Sequence, residues 1–255
     1  TRVSSAYAPM GKVEPVEGGF RFSGRWSWSS GCDHCTWALL GGILPDGTYR
    51  TFLVPRSDYR IEDTWYSMGL QGTGSNDIVV ESAFVPDYRT HKQSDGFNGT
   101  NPGVDPSSAP LYHLPWAQLF IRVVSTPAIG AARDALSLYT EMVKGKASGD
   151  VTKLAQDSTT QMRIAEARNS LEEMTTILMV NFDTMMAAVR AGQSIPLADR
   201  VLYRYQASLV IEKSMAVVDS LFSSAGGSSV FQGSAIQQRF LDIHTARAHV
   251  ANNPT

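Results

Sequence analysis

Three groups of side chains in this sequence are of types that could do chemistry. The first is the run of hydroxyls Ser27, Ser29 and Ser30, set around Trp28 and followed by Gly31. A polar strand end of this kind can offer hydroxyls to a ligand. It does not read as a serine hydrolase, because no GxSxG elbow accompanies it. The second group is Cys32-Asp33-His34-Cys35, with the CxxC spacing of redox and zinc sites. A structural zinc needs four ligands, and no second CxxC or HxxxH pair completes the set. Ordinary, partly buried cysteines are expected there. The third is His244 and His249. If one helix carries both, five positions separate them by about 140° around the axis, so they should not share a site. Either imidazole could move a proton near pH 7.

Two weaker motifs read as connections. Gly69-Leu70-Gln71-Gly72-Thr73-Gly74 resembles a phosphate loop, but Ile78-Val79-Val80 follows it where a helix should begin. Asn98-Gly99-Thr100 satisfies a glycosylation sequon that has no meaning without secretion.

The elements that must position these groups fall into two halves. Fourteen of the 21 glycines precede residue 113, while seven of the nine methionines follow it, so strands and turns are expected first and helices second. The segment from Gly19 to Trp28 alternates large apolar and polar residues, the period of a strand buried on one face. Trp37 to Leu44, Thr51 to Pro55 and Ile78 to Pro86 read as further strands, with Pro45-Asp46-Gly47-Thr48 as a hairpin turn. Short strands with this punctuation suggest a small β-barrel or sandwich over residues 1–112, including a long loop at 92–112. Residues 113–255 carry four helical patterns, near 117–146, 151–191, 196–224 and 234–252, the makings of a four-helix bundle. The methionine-rich faces read as bundle core.

The balance of 22 basic and 24 acidic residues argues against a nucleic-acid-coating protein or a polybasic membrane binder. No apolar run is long enough to span a membrane. With two cysteines and no signal segment, the expected compartment is the cytoplasm.

Four motifs in order resemble one family. Gly18-Gly19-Phe20-Arg21-Phe22-Ser23-Gly24-Arg25-Trp26-Ser27-Trp28-Ser29-Ser30-Gly31 is similar to a strand of the acyl-CoA dehydrogenase superfamily. Trp28-Ser29-Ser30-Gly31-Cys32, Met68-Gly69-Leu70-Gln71-Gly72-Thr73-Gly74-Ser75-Asn76-Asp77 and the stretch from Asp95-Gly96-Phe97 to Thr100-Asn101-Pro102-Gly103 resemble one branch of it. That branch is the oxygenase component of two-component, reduced-flavin-dependent aromatic hydroxylases, of the 4-hydroxyphenylacetate 3-hydroxylase and secosteroid phenol hydroxylase types. The closing run from Gln238 to His249 matches as well.

The resemblance implies an α+β, acyl-CoA dehydrogenase-like fold in which a further N-terminal helical domain precedes the two halves and is absent from this chain. It implies a homotetramer, a separate flavin reductase, reduced FMN (FMNH2, with FAD as the variant), O2 as co-substrate and a phenol hydroxylated through a C4a-hydroperoxyflavin. Within that frame Ser30 would hydrogen-bond the flavin N5, with Ser29 its neighbour on the opposite strand face and Trp28 a wall of the flavin site. His249 would take the phenol proton. Gly227 and Ser228 would approach the flavin, and Lys144 or Lys146 would stand where the superfamily has its phosphate-binding Arg. Two other readings remain: a true acyl-CoA dehydrogenase with FAD and a Glu base, which the last helix does not offer, and a non-catalytic helical-bundle interaction protein.

Overall fold

The alternating segment becomes strand β2 (Gly19–Ser29), with Phe20, Phe22 and Trp26 buried and Arg21 and Arg25 exposed. The structure, a computed structural model, describes residues 1–145 and 153–253. It separates into two units, Thr1–Val104 and Asp105–Thr255. The division falls ahead of the 112/113 boundary expected from composition, because the 3-10 turn Pro110–His113 is bound locally to what precedes it, with His113 Nε2 3.3 Å from the Ser108 carbonyl.

In the first unit β2 joins β1 (Val3–Val16), β3 (Trp37–Ile43), β4 (Tyr49–Pro55), β5 (Arg60–Glu62), β6 (Asn76–Pro86) and β7 (Thr90–Lys92). Their order in the sheet is β5-β6-β2-β1-β3-β4-β7. Neighbours are antiparallel except β1 and β3, which run parallel. In a flat sheet β2 and β4 would stand about 14 Å apart across two intervening strands. The rings of Phe22 on β2 and Phe52 on β4 are stacked with centroids 4.2 Å apart, and Trp26 lies 4.9 Å from Phe22. The sheet is therefore rolled around its aromatic core, barrel-like in section, although its hydrogen-bonded ladder ends at β5 and β7.

β1 supplies the centre of the sheet and the sequence reading missed it. Pro9 and Pro15 interrupt it, and only two of its 14 residues are buried. Its register against β3 shifts between Ala6 and Gly11. Gly41 sits at that shift, where a Cβ would lie 2.3 Å from the Tyr7 carbonyl oxygen. The connection at 92–112 is not structureless either: it contains the short helix α1 (Gln93–Asn98).

The second unit packs α2 (Trp116–Lys144), α3 (Ser158–Arg190), α4 (Leu197–Ser224) and α5 (Ala235–Ala246). Small residues on α2, Ala128, Ala132 and Ala135, meet a core of Leu171, Met174, Ile211, Val218, Leu221, Ile236 and Ile243. Asp157 caps α3 through its side chain, which accepts from the Thr160 N–H at 2.8 Å. Gly192, at φ 68°, follows the C-terminal end of α3. Met174 and Met185 are buried as expected, but Met162 and Met179 are exposed, so the methionine face of α3 is only partly core. The last helix is shorter than expected. It stops at Ala246, and the chain then turns through Arg247 into a 3-10 segment at Val250–Asn252.

Because Gly41 has no room for a side chain, Gly41→Ala should destabilise the β unit by about 1–3 kcal/mol, the range for overpacked sites. Urea denaturation followed by tryptophan fluorescence measures this. A midpoint equal to wild type would mean that β1 can move away from β3 without cost.

Candidate active site

Ser30 is presented where β2 ends. The ladder to β6 shifts register between Trp26 and Ser29, and Trp28 takes φ 65°, a left-handed conformation unusual for a bulky residue. This flips the normal alternation. Trp26 is buried, Trp28 is 73% exposed, Ser29 is buried and Ser30 is exposed. Ser29 Oγ has no hydrogen-bond partner among the described residues, whereas Ser30 Oγ lies 2.8 Å from Ser75 Oγ. Ser75 Oγ is in turn 2.7 Å from Thr73 Oγ1, which donates to the Leu70 carbonyl at 2.8 Å. The glycine-rich motif therefore packs a row of hydroxyls behind Ser30 and is no phosphate loop.

Asn76 holds this loop in place. Its side-chain oxygen accepts from the N–H groups of Thr64 and Trp65, both at 3.1 Å, and its amide donates to Asp33 Oδ2 at 3.0 Å. Asp77, beside it, accepts from Arg25 Nε at 2.8 Å and from Thr64 Oγ1 at 3.1 Å. The Gly31 N–H donates to the Thr73 carbonyl at 2.8 Å, joining the end of β2 to the same loop. Cys32 is buried, with Sγ 3.7 Å from the Gly74 carbonyl, and burial followed by the Asp33 charge pushes its thiol up. A protonated, enclosed thiol is a poor nucleophile.

In the second unit the two late histidines part company, for a reason other than the helical angle expected. His244 lies on α5, with Nε2 2.7 Å from Asp219 Oδ1 and its ring 4.3 Å from that of Phe240. His249 lies beyond the helix, as the N-terminal cap of the 3-10 segment, and its Nδ1 accepts from the Ala251 N–H at 3.0 Å. That bond fixes the neutral ring with its proton on Nε2. The imidazole retains an exposed edge, but crowding by neighbouring atoms desolvates it and lowers its pKa from the ordinary value. The Phe120 ring is 6.3 Å away and stacks on Trp116 at 4.7 Å. Asn252, fully buried, ties the turn to α5 by donating to the Ala246 carbonyl at 2.8 Å. Arg204 on α4 ties it from the other side, donating to the carbonyls of Ala251 at 3.1 Å and Asn253 at 3.3 Å.

The remaining sequence-stated positions are less committed to a site. Gly227 and Ser228 are exposed in the 3-10 turn between α4 and α5. Lys144 ends α2 in an exposed pair with Glu141 at 2.5 Å. Lys146 lies outside the described residues. Thr73, Ser75, Asn76, Trp116 and Phe120 were not singled out as site residues from sequence. The first three lay inside a quoted motif, but their hydroxyl and amide partners come from residues 2 to 45 positions away.

The residues around Ser30 fit a flat ring that carries both polar edges and an apolar face. Trp28 and Ser30 are exposed residues, and Gly31, at φ 74°, has open space where a Cβ would be. Those are the contacts a flavin ring system asks of a protein.

Comparison with known proteins gives the following. Residues 122–254 match the family model described as acyl-CoA dehydrogenase, C-terminal domain. The chain is 37% identical to the flavin-dependent monooxygenase, oxygenase subunit HsaA, of Rhodococcus jostii (strain RHA1) over 261 residues, covering 99% of this chain and 68% of that protein. It is 30% identical to the p-hydroxyphenylacetate 3-hydroxylase, oxygenase component, of Acinetobacter baumannii, covering 96% of this chain and 60% of that protein. Among solved structures, the 3-HSA hydroxylase from Rhodococcus sp. RHA1 superposes with a TM-score of 0.92 at 37% identity, covering 99% of this chain and 66% of the other. The chain thus spans about two thirds of the length of these two Rhodococcus proteins and 60% of the Acinetobacter one.

The left-handed Trp28 separates stability from binding. Trp28→Gly relieves a backbone cost of about 1–2 kcal/mol while removing an indole that is mostly exposed. Its thermal midpoint should equal or exceed that of wild type, while reduced-flavin affinity of the full-length protein falls. A lower midpoint with unchanged affinity would assign Trp28 to folding instead.

Proposed function

The chain belongs to the oxygenase subunits of flavin-dependent monooxygenases built on the acyl-CoA dehydrogenase fold, and from that premise we propose that it hydroxylates a phenol with O2 and reduced flavin delivered by a separate reductase. The flavin, when bound, supplies the activation of O2 and the oxygen atom that is transferred. The protein's own part is to hold the ring, exclude water and aim the phenol.

Ser30 and Trp28 bind and orient the ring, with Ser29 and Gly31 shaping the strand end. The observation that carries the reading is the set of rings in the helical unit, an imidazole 6.3 Å from an aromatic pair that is itself stacked. A flat phenol suits that surface, and its oxygen suits the Nε2–H of His249. The imidazole meets a lone pair of the phenol oxygen as a donor and fixes where that oxygen sits. Acting as a base at Nδ1 would require giving up the Ala251 contact.

Gly227 and Ser228 offer a small, N–H-rich turn for the polar part of the flavin. Lys144 would reach a flavin phosphate only by leaving Glu141. We further take the protein to be a homotetramer, a reading supported by the exposed apolar residues Met162, Met179 and Val180 on α3 and Val201, Leu202 and Tyr205 on α4. No helix among the described residues is long and apolar enough to cross a membrane.

A panel of simple phenols, phenolic acids and steroid-derived phenols, assayed with a flavin reductase and reduced FMN, should yield a hydroxylated product with matching O2 uptake. Hydrogen peroxide alone with every phenol, or flavin reduction by an acyl-CoA, would overturn the reading. His249→Ala should lower product formation by about 10²-fold, the cost of a misplaced phenol, while changing reduced-flavin affinity by no more than about twofold. The pH profile has a defined sign. Desolvation lowers the His249 pKa, so the ring is neutral at pH 7. Protonation puts a second N–H at Nδ1, against the Ala251 N–H, so activity should hold at neutral pH and fall only below the ordinary histidine value of about 6.5.

A further inference from the structure

The hydroxyls behind Ser30 have a direction that can be worked out from their partners. The Leu70 carbonyl has only lone pairs, so the Thr73 hydroxyl, 2.8 Å away, must donate to it. Each hydroxyl has one hydrogen. Thr73 Oγ1, having spent its own, must accept from Ser75 Oγ at 2.7 Å. Ser75, having spent its own in turn, must accept from Ser30 Oγ at 2.8 Å. The hydrogen of Ser30 therefore points back into the loop, and what the exposed side of Ser30 presents is a lone pair.

That polarity discriminates between two states of one ligand. The central ring nitrogen of a reduced flavin carries a hydrogen and donates, whereas in the oxidised flavin the same nitrogen carries a lone pair and accepts. We propose that Thr73 and Ser75 are positioning residues that turn Ser30 into an obligatory acceptor, and that this gives the site its preference for reduced over oxidised flavin. The inference rests on the flavin reading given above and adds the origin of the redox preference. It also explains why the loop spends two hydroxyls in series when one would suffice to support a serine.

The chain can be reversed by one nearly isosteric change. In Thr73→Val, Ser75 loses its acceptor and turns its hydrogen to Ser30, whose own hydrogen is then pushed outward as a donor. Thr73→Ser keeps the original direction. Ser75→Ala leaves Ser30 free to point either way.

The test is an anaerobic titration of the full-length protein with reduced FMN and, separately, with oxidised FMN. The readout is the ratio of the two dissociation constants. Wild type and Thr73→Ser should favour reduced FMN by similar ratios. Thr73→Val should shrink the ratio by about tenfold, the worth of one hydrogen bond gained in one state and lost in the other. Ser75→Ala should fall between, and in a Ser30→Ala background Thr73→Val should leave the ratio unchanged. If Thr73→Val weakens both forms by the same factor, or if its effect persists without Ser30, the loop is merely structural and the proposal fails. A wild-type protein that binds both forms equally would also overturn it. Binding of neither form would instead remove the flavin reading on which it rests. Circular dichroism of each variant guards against misfolding, and Ser75→Ala, which only deletes an oxygen, provides the second, gentler reading of the same chain.

Discussion

The side chain of Asn76 is the interaction on which the β-unit site depends. One amide, buried at the first residue of β6, satisfies two backbone N–H groups at Thr64 and Trp65 and donates to Asp33. It thereby fastens three stretches of chain that are otherwise irregular. Asn76 also pairs with Ser29 across the ladder, so the same residue that gathers the loops fixes the end of β2. Aspartate could not replace it, since a carboxylate would keep the acceptor but lose the donor and set a second negative charge against Asp33. Leucine of similar size would leave two N–H groups without their partner, at about 1–3 kcal/mol apiece where buried. Once Asn76 is placed, the hydroxyls of Thr73 and Ser75 have little freedom, and Ser30 inherits its orientation from them.

The helical unit solves a comparable problem with a different device. His249 sits on a turn, and a turn alone does not hold a ring steady. Asn252 anchors it to α5 and Arg204 anchors it to α4, using both terminal nitrogens on main-chain carbonyls. The cation of Arg204 is thus spent on the backbone. What remains at the imidazole is one neutral N–H beside an aromatic pair, with a pKa depressed by desolvation.

Much of this was legible in the sequence, and the gaps have identifiable causes. The period-two pattern of β2 and the glycine and proline punctuation gave the strands with strong alternation, while the helical periods located α2, α3 and α4. β1 escaped because its burial is poor and its place in the sheet comes from partners far along the chain. The end of α5 escaped because the sequence from Arg247 to His249 contains no helix breaker. The turn there is held by the Asn252 bond to Ala246, by the His249 cap and by Arg204, whose bonds to Ala251 and Asn253 reach across the fold and leave no local signature. Ser30 and His249 were singled out by resemblance alone, since nothing in a serine or a histidine distinguishes them from their neighbours. The hydroxyl chain could not have been found that way, because it depends on contacts between residues 30 and 75 that only the fold brings together.

Hydrogen-bond direction, more than charge, accounts for both sites. A carboxylate or an ammonium beside a flavin or a phenol would bind through field strength and would tolerate small errors of placement. A neutral hydroxyl and a neutral imidazole cannot. Each contributes about one hydrogen bond, and each is useful only if its hydrogen is on the correct side. On that reading, ordinary polar side chains are committed to positions behind Ser30 and His249. Thr73 and Ser75 settle which way Ser30 points, and the Ala251 N–H settles which nitrogen of His249 bears the proton. The two outcomes are opposite, an acceptor in the β unit and a donor in the helical unit. A reduced flavin, which brings an N–H, and a phenol oxygen, which offers lone pairs, suit that same opposition. On the proposed reading, two neutral groups suffice to discriminate the flavin and the phenol, provided the loops are rigid enough to keep single hydrogens in place.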